Sequence, residues 1–87
     1  MQSYFPYVLT EHARKRIIQR GISLNWIIRV LENPEHEEPD AEDPQLYKAW
    51  GYIGEAGGRV LCVVYNETTE PWRIVTVYFD RAFRGRI

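Results

Sequence analysis

Hydrophobic residues in the first third of the chain recur with a helical period. The segment predicted as the second helix, Leu24–Glu32, places its apolar side chains on one stripe at intervals of three and four residues. Those side chains are Leu24, Ile27, Ile28 and Leu31. A first helix is predicted over Glu11–Arg20, because Thr10 is a typical N-cap and Gly21 a typical helix-ending glycine. About two residues separate the helices, so we expect a tight helical hairpin.

The second half of the chain changes to the period of two that β-strands show. β-branched and aromatic residues favour strands over residues 47–53, 59–65 and 72–79, with short turns between them. Short connections favour antiparallel neighbours. We therefore predict a single α+β domain over residues 1–87, in which the helical hairpin packs on a three-stranded antiparallel sheet.

Residues 34–45 lie between the predicted helices and the predicted sheet. This segment holds Pro34, Pro39 and Pro44 together with six acidic residues, and it has no lysine or arginine. Proline disfavours the interior of both helices and strands. The segment is therefore predicted to be an acidic loop.

Both faces of the predicted sheet carry apolar side chains. In the last strand, Trp72, Ile74 and Tyr78 alternate with Val75 and the other residues of the opposite face. Two partly apolar faces favour a second layer, a protein partner or a homodimer.

The composition is that of a folded globular protein, at 45% hydrophobic and 14% aromatic residues. No apolar run approaches the ~20 residues that a membrane span needs, and residues 1–7 lack the basic and apolar regions of a signal peptide. We expect a cytoplasmic protein. Cys62 lies in an apolar strand, so we expect it in the core rather than at a reactive site. No motif indicates a metal or a cofactor.

Charge is distributed unevenly along the chain. The net charge is −1, but the residues outside the segment 34–45 carry six acidic and eleven basic side chains, a net charge of +5. Nine of the eleven basic residues are arginines, whose planar fork suits phosphate or carboxylate. The basic part favours anion or nucleic-acid binding, although local ion pairs would also explain it.

Three polar residues follow one edge of the apolar stripe of the first helix. His12, Arg16 and Arg20 are spaced at intervals of four, so they line up along the helix. A histidine can act as a general acid or base, and arginines can hold a phosphate and stabilise its developing charge. Alternatively, the arginines pair with Glu32 or Asp80 and the histidine has only a local role.

Further candidates lie at the ends of the predicted strands. Tyr78 could act as an acid or stack on a base, and Arg81 could contact a phosphate. Arg59 is the first residue of the middle strand and could face a cleft between the first helix and the sheet. Each of these residues is equally compatible with an ordinary position at a strand end.

Four segments of the chain resemble a family of small bacterial domains of unknown function, numbered 4258. They read LTEHARKRI over residues 9–17, RGIS over 20–23, VLENP over 30–34 and IVTVY over 74–78. The resemblance covers nearly the whole chain in order. It implies kinship with RelE-like toxins, including the BrnT type, and with small endoribonucleases of the barnase and colicin type.

The resemblance implies a RelE-like toxin that cleaves RNA without a metal and that an antitoxin protein opposes. In such enzymes the ribose 2′-hydroxyl attacks the adjacent phosphate. His12, Arg16 and Tyr78 match positions of the resemblance and are the predicted catalytic residues. Arg20, Arg59 and Arg81 are predicted to bind nucleic acid on their chemistry alone.

Three functional hypotheses follow from the sequence. The first is a metal-independent endoribonuclease toxin. The second is a non-catalytic module that binds a protein partner or a small anion. The third is a protein that binds nucleic acid without cleaving it, with an affinity that falls steeply as salt rises.

Overall fold

The computed structural model describes the chain over residues 5–86, with side chains through residue 83. Two helices, α1 (Glu11–Arg20) and α2 (Leu24–Glu32), lie at the predicted positions. The Thr10 hydroxyl accepts a hydrogen bond from the Ala13 amide at 3.0 Å, which caps α1. Gly21 ends α1 with a φ of 63°, a left-handed conformation that favours glycine. The two predicted helices are confirmed, whereas the predicted tight hairpin is not, because each helix packs mainly on the sheet rather than on the other helix.

The sheet has five strands, so the predicted three-stranded antiparallel sheet was wrong. The strands are β1 (Val8–Leu9), β2 (His36–Pro39), β3 (Leu46–Ile53), β4 (Arg59–Asn66) and β5 (Arg73–Phe79). Their order across the sheet is β1-β5-β4-β3-β2. Strand β1 pairs with β5 in parallel, and the other neighbours are antiparallel. The mixed α+β class is confirmed.

Strand β2 lies inside the segment that was predicted to be an acidic loop. It pairs antiparallel with β3, and His36 lies opposite Trp50. The prolines do not prevent this, because β2 is an edge strand and Pro39 stands at its end. Backbone hydrogen bonds from Glu35 to Trp50 and from Asp40 to Leu46, both 2.9 Å, close the two ends of the strand.

The main core lies between the helices and one face of the sheet. Its fully buried members include Ile27 and Val30 of α2, Leu61 of β4 and Ile74 of β5. Helix α2 approaches the sheet closely at Gly51 of β3, where a Cβ atom would stand 2.8 Å from Cγ2 of Val30. The absence of a side chain at this position lets α2 lie close to β3.

A smaller cluster covers part of the other face of the sheet. A short 3₁₀ segment, Arg81–Arg86, follows β5 and places Phe83 on this face. The ring of Phe83 stacks on that of Trp50 with centroids 4.4 Å apart. Part of the second apolar face is thus covered by the chain itself, and formation of a homodimer stays a prediction. No helix in the described part of the chain is both long and apolar enough to cross a membrane.

Candidate functional site

Three arginines line one cavity at the end of β5. The cavity has a volume of about 480 Å³ and lies where the end of α1, the start of β4 and the end of β5 come together. Its walls are formed by Arg20, Arg59, Val60, Phe79, Asp80 and Arg81. We call it the arginine cavity. The three residues predicted to bind nucleic acid are distant in sequence, and the fold brings them to one place.

Arg59 is held in a defined position by two contacts. Its Nε donates a hydrogen bond to the carbonyl oxygen of Ala56 at 2.8 Å. Its guanidinium carbon lies 3.8 Å from the ring centroid of Phe79, within the range of a cation–π interaction. Trp26 of α2 packs against the same ring, with centroids 6.4 Å apart. Because its guanidinium is already oriented, Arg59 would lose little freedom on binding an anion.

Asp80 is the acidic residue of the cavity wall, and hydrogen bonds fix its carboxylate. Oδ2 accepts from the Trp50 indole N–H at 3.0 Å, and Oδ1 accepts from the Ala82 amide at 3.0 Å. The Asp80 amide donates to the carbonyl oxygen of Val60 at 2.8 Å, which extends the pairing of β5 with β4 by one residue. A carboxylate has about four acceptor positions. The group can therefore accept further hydrogen bonds from a ligand.

The arginines of the cavity form no ion pair with any side chain that the structure describes. Within the described residues, no carboxylate lies within 4.0 Å of the guanidinium nitrogens of Arg20, Arg59 or Arg81. The pairing of Arg20 with Asp80 or Glu32, the alternative that the sequence left open, is thus absent. Three guanidinium groups around one cavity create a site that favours an anion.

The predicted catalytic residues of α1 lie outside the arginine cavity. His12 is exposed in the first turn of α1, and Arg16 is half-buried. Arg20 is the last residue of the same helix and lies eight positions after His12. This spacing corresponds to about 12 Å along the helix axis. Neither His12 nor Arg16 forms an ion pair with a described residue.

Tyr78 projects from the face of the sheet opposite the helices. It packs against the cluster that contains Cys62 and Trp50, whereas α1 contributes Ala13 to the core on the helix side. Burial, together with a hydrogen bond to Cys62, raises the pKa of the Tyr78 hydroxyl. The described contacts therefore do not bring Tyr78 together with His12.

Cys62 lies in the core, as predicted. Its side chain is fully buried in β4, and burial raises the pKa of the thiol to about 12. A thiol with this pKa is protonated at neutral pH and is a poor nucleophile.

Sequence reasoning did not identify Asp80 and Phe79 as residues of the candidate site. Asp80 was considered only as a partner for an arginine, and Phe79 only as part of a strand. Their position in the sequence could have indicated a role, because both lie at the end of the last strand, directly before Arg81. Functional residues are common at such positions.

Residues 9–79 match the family described as Domain of unknown function (DUF4258). The chain belongs to this family. The matched region spans both helices and the sheet from Leu9 onward, including Arg20, Arg59 and Phe79, and it ends just before Asp80. No curated protein and no solved structure matches the chain. The family description names no activity.

Proposed function

We propose that this protein is an endoribonuclease of the RelE-like, BrnT-type group of toxins, acting on RNA in the cytoplasm and opposed by an antitoxin protein. The arginine cavity is the proposed site of the scissile phosphate. The observation that carries the proposal is that Arg20, Arg59 and Arg81 line one cavity and that, among the described residues, no carboxylate lies within ion-pair distance of them.

Asp80 is the proposed general base. The reaction begins with attack of a ribose 2′-oxygen on the adjacent phosphorus, and the 2′-hydroxyl proton passes to the Asp80 carboxylate. The new O–P bond forms as the bond between phosphorus and the 5′-oxygen breaks. The leaving 5′-oxygen takes a proton from water, and the proton held on Asp80 neutralises the resulting hydroxide, which restores the carboxylate. The products are a 2′,3′-cyclic phosphate and a 5′-hydroxyl end.

The arginines would stabilise the negative charge that develops on the phosphoryl oxygens. Arg59 is suited to this role, because its contacts with Ala56 and Phe79 orient the guanidinium before the substrate arrives. His12 and Arg16 would contact the RNA along α1, outside the reaction centre. Their catalytic role, and that of Tyr78, stays a prediction from the sequence.

A non-catalytic anion-binding module is the second candidate. One observation favours it: both oxygens of Asp80 already accept a hydrogen bond from the protein, as expected of a carboxylate with a structural role. In that case the cavity would bind a phosphate group and leave the RNA intact.

Cleavage and binding of an end-labelled single-stranded RNA distinguish the two candidates. For an Asp80→Asn variant we expect affinity at least equal to that of the wild type, because the cavity loses a negative charge. We expect its cleavage rate to fall about 10²- to 10⁴-fold, the usual contribution of a general base. RNA binding by the wild type without cleavage would favour the second candidate, and absence of RNA binding would contradict the endoribonuclease proposal.

Matched variants separate these effects from folding and from net charge. Trp50→Phe removes the hydrogen bond from the indole N–H to Asp80 but keeps the carboxylate. This variant should therefore retain RNA cleavage. Arg20→Gln should weaken binding, whereas Arg14→Gln, on the same helix but not in the cavity wall, should not. An equal loss of RNA affinity in Arg20→Gln and Arg14→Gln would indicate that RNA binding depends only on the overall charge of the protein.

A further inference from the structure

A second cavity lies near the opposite end of β5. It has a volume of about 290 Å³ and is lined by Pro6, Tyr7, Leu31, Glu32, Glu70 and Trp72. We call it the aromatic–acidic cavity. Trp72 immediately precedes β5, whereas Phe79 of the arginine cavity ends it. Seven residues of extended chain separate the two, which corresponds to about 23 Å.

Two aromatic rings form a fixed part of its wall. The rings of Tyr7 and Trp72 stack with centroids 6.0 Å apart, and Trp72 also stacks on the buried ring of Tyr65 at 5.1 Å. The Tyr65 hydroxyl in turn donates a hydrogen bond to Glu37 of β2 at 3.2 Å. These contacts fix the ring of Trp72, so its orientation does not depend on a ligand.

Two carboxylates complete the wall. Glu32 is the last residue of α2, where the helix dipole adds negative potential, and Glu70 precedes Pro71 in the turn before β5. In the described part of the chain, neither carboxylate has a cationic group within ion-pair distance. Burial raises the pKa of the Tyr7 hydroxyl, and the negative charge of Glu32 raises it further. Glu32 therefore interacts electrostatically with the aromatic part of the wall.

We propose that the aromatic–acidic cavity binds an arginine or lysine side chain of a protein partner. Aromatic faces attract a cation within about 6 Å, and a guanidinium or ammonium group can hydrogen-bond to carboxylates at the same time. Among the described residues that line the cavity, none is a lysine or an arginine. A basic segment would be repelled from the arginine cavity at the other end of β5, so the charge distribution directs it to this site.

The test monitors the indole N–H resonances of the whole protein by NMR during titration. N-acetyl-arginine amide and an extended peptide with several arginines are the probes, and N-acetyl-citrulline amide is an uncharged control of similar shape. We expect saturable shifts at Trp72 with the arginine probes and none at Trp26 or Trp50, which lie outside this cavity. The citrulline probe should bind at least about tenfold more weakly, the factor that corresponds to 1.4 kcal/mol.

Charge variants test whether the two carboxylates are responsible. The double variant Glu32→Gln/Glu70→Gln should weaken binding of the arginine peptide at least about tenfold. The double variant Glu42→Gln/Asp43→Asn removes the same charge from the exposed segment before β3 and should leave binding unchanged. An Asp80→Asn variant should bind as the wild type does, because this site does not depend on RNA cleavage.

Three results would overturn the proposal. The first is absence of a saturable Trp72 shift with either arginine probe. The second is equal binding of the citrulline probe, which would show that the charge is not recognised. The third is binding of the free amino acid derivative but not of the peptide, which would exclude a protein side chain as the ligand.

Discussion

At the scale of single residues, the pair of Arg29 and Glu55 shows how an exposed contact can tie two elements together. Two parallel hydrogen bonds, of 3.0 and 2.8 Å, join the guanidinium to the two carboxylate oxygens. They link α2 to the turn between β3 and β4. The hydrogen bonding with Arg29 stabilises the ionised carboxylate and lowers the pKa of Glu55 to about 2.

The lowered pKa predicts a pH-dependent contribution to stability. Because the folded-state pKa lies below the ordinary value of 4.5, the contribution is fully present above that value and is lost as the pH falls toward 2. The free energy of unfolding should therefore be higher for the wild type than for Glu55→Gln at pH 6. The difference should shrink as the pH falls from 5 to 2.

Urea unfolding at a series of pH values measures this effect. The Arg29→Gln variant removes the other partner and should reduce the pH dependence of stability in the same range. A difference between wild type and Glu55→Gln that stays constant over the whole range would contradict the assignment.

At the scale of elements, the position of α2 on the sheet depends on Gly51. A Cβ at this position would stand 2.8 Å from Cγ2 of Val30, a residue that is 1% exposed. Valine has few accessible rotamers in a helix, so it cannot turn aside to make room. The sheet and the helix would have to separate.

Gly51→Ala is expected to destabilise the protein by about 1–3 kcal/mol, the usual cost of overpacking a core. Gly54→Ala is the control, because its Cβ would lie 3.7 Å from the nearest atom, Cε2 of Tyr52, in ordinary contact. The control should change stability by less than about 0.5 kcal/mol. Thermal and urea unfolding measure the stability of both variants. Equal destabilisation by Gly51→Ala and Gly54→Ala would show that the contact with Val30 is not the cause of the loss.

At the scale of the whole molecule, a net charge of −1 conceals a separation of charge along β5. The arginine cavity lies near one end of the strand, and the cavity with Glu32 and Glu70 lies near the other. The acidic strand β2 forms one edge of the sheet. Local potential rather than net charge therefore determines where a phosphate or a basic peptide approaches.

The toxin proposal predicts growth arrest when the wild-type protein is induced in a bacterial host. Asp80→Asn, at matched soluble expression, should relieve the arrest because the proposed base is lost. The His12→Ala/Arg16→Ala variant tests the catalytic role predicted from the sequence, and relief of arrest with full RNA binding would place the reaction centre on α1. Normal growth with abundant folded wild type would contradict the toxin proposal.

Local signals predicted most of the elements. Thr10 and Gly21 marked the ends of α1, and hydrophobic periodicity marked α2 and the three long strands. Strands β1 and β2 were missed for a physical reason. The first has two residues, too few to show a period, and the second is an exposed edge strand that ends in proline. Pairing with distant residues stabilises both.

The amino-acid pattern alone was enough to predict the two helices, the three long strands, the burial of Cys62 and the excess of arginine outside residues 34–45. Each follows from interactions between neighbours in the chain or from composition. Three features became visible only in the folded chain: which arginines share a cavity, the presence of Asp80 in its wall, and the position of Tyr78 on the other face of the sheet. The reason is that strand pairing and helix packing bring together residues such as Arg20, Arg59 and Arg81, whose spacing in the sequence carries no sign of their proximity.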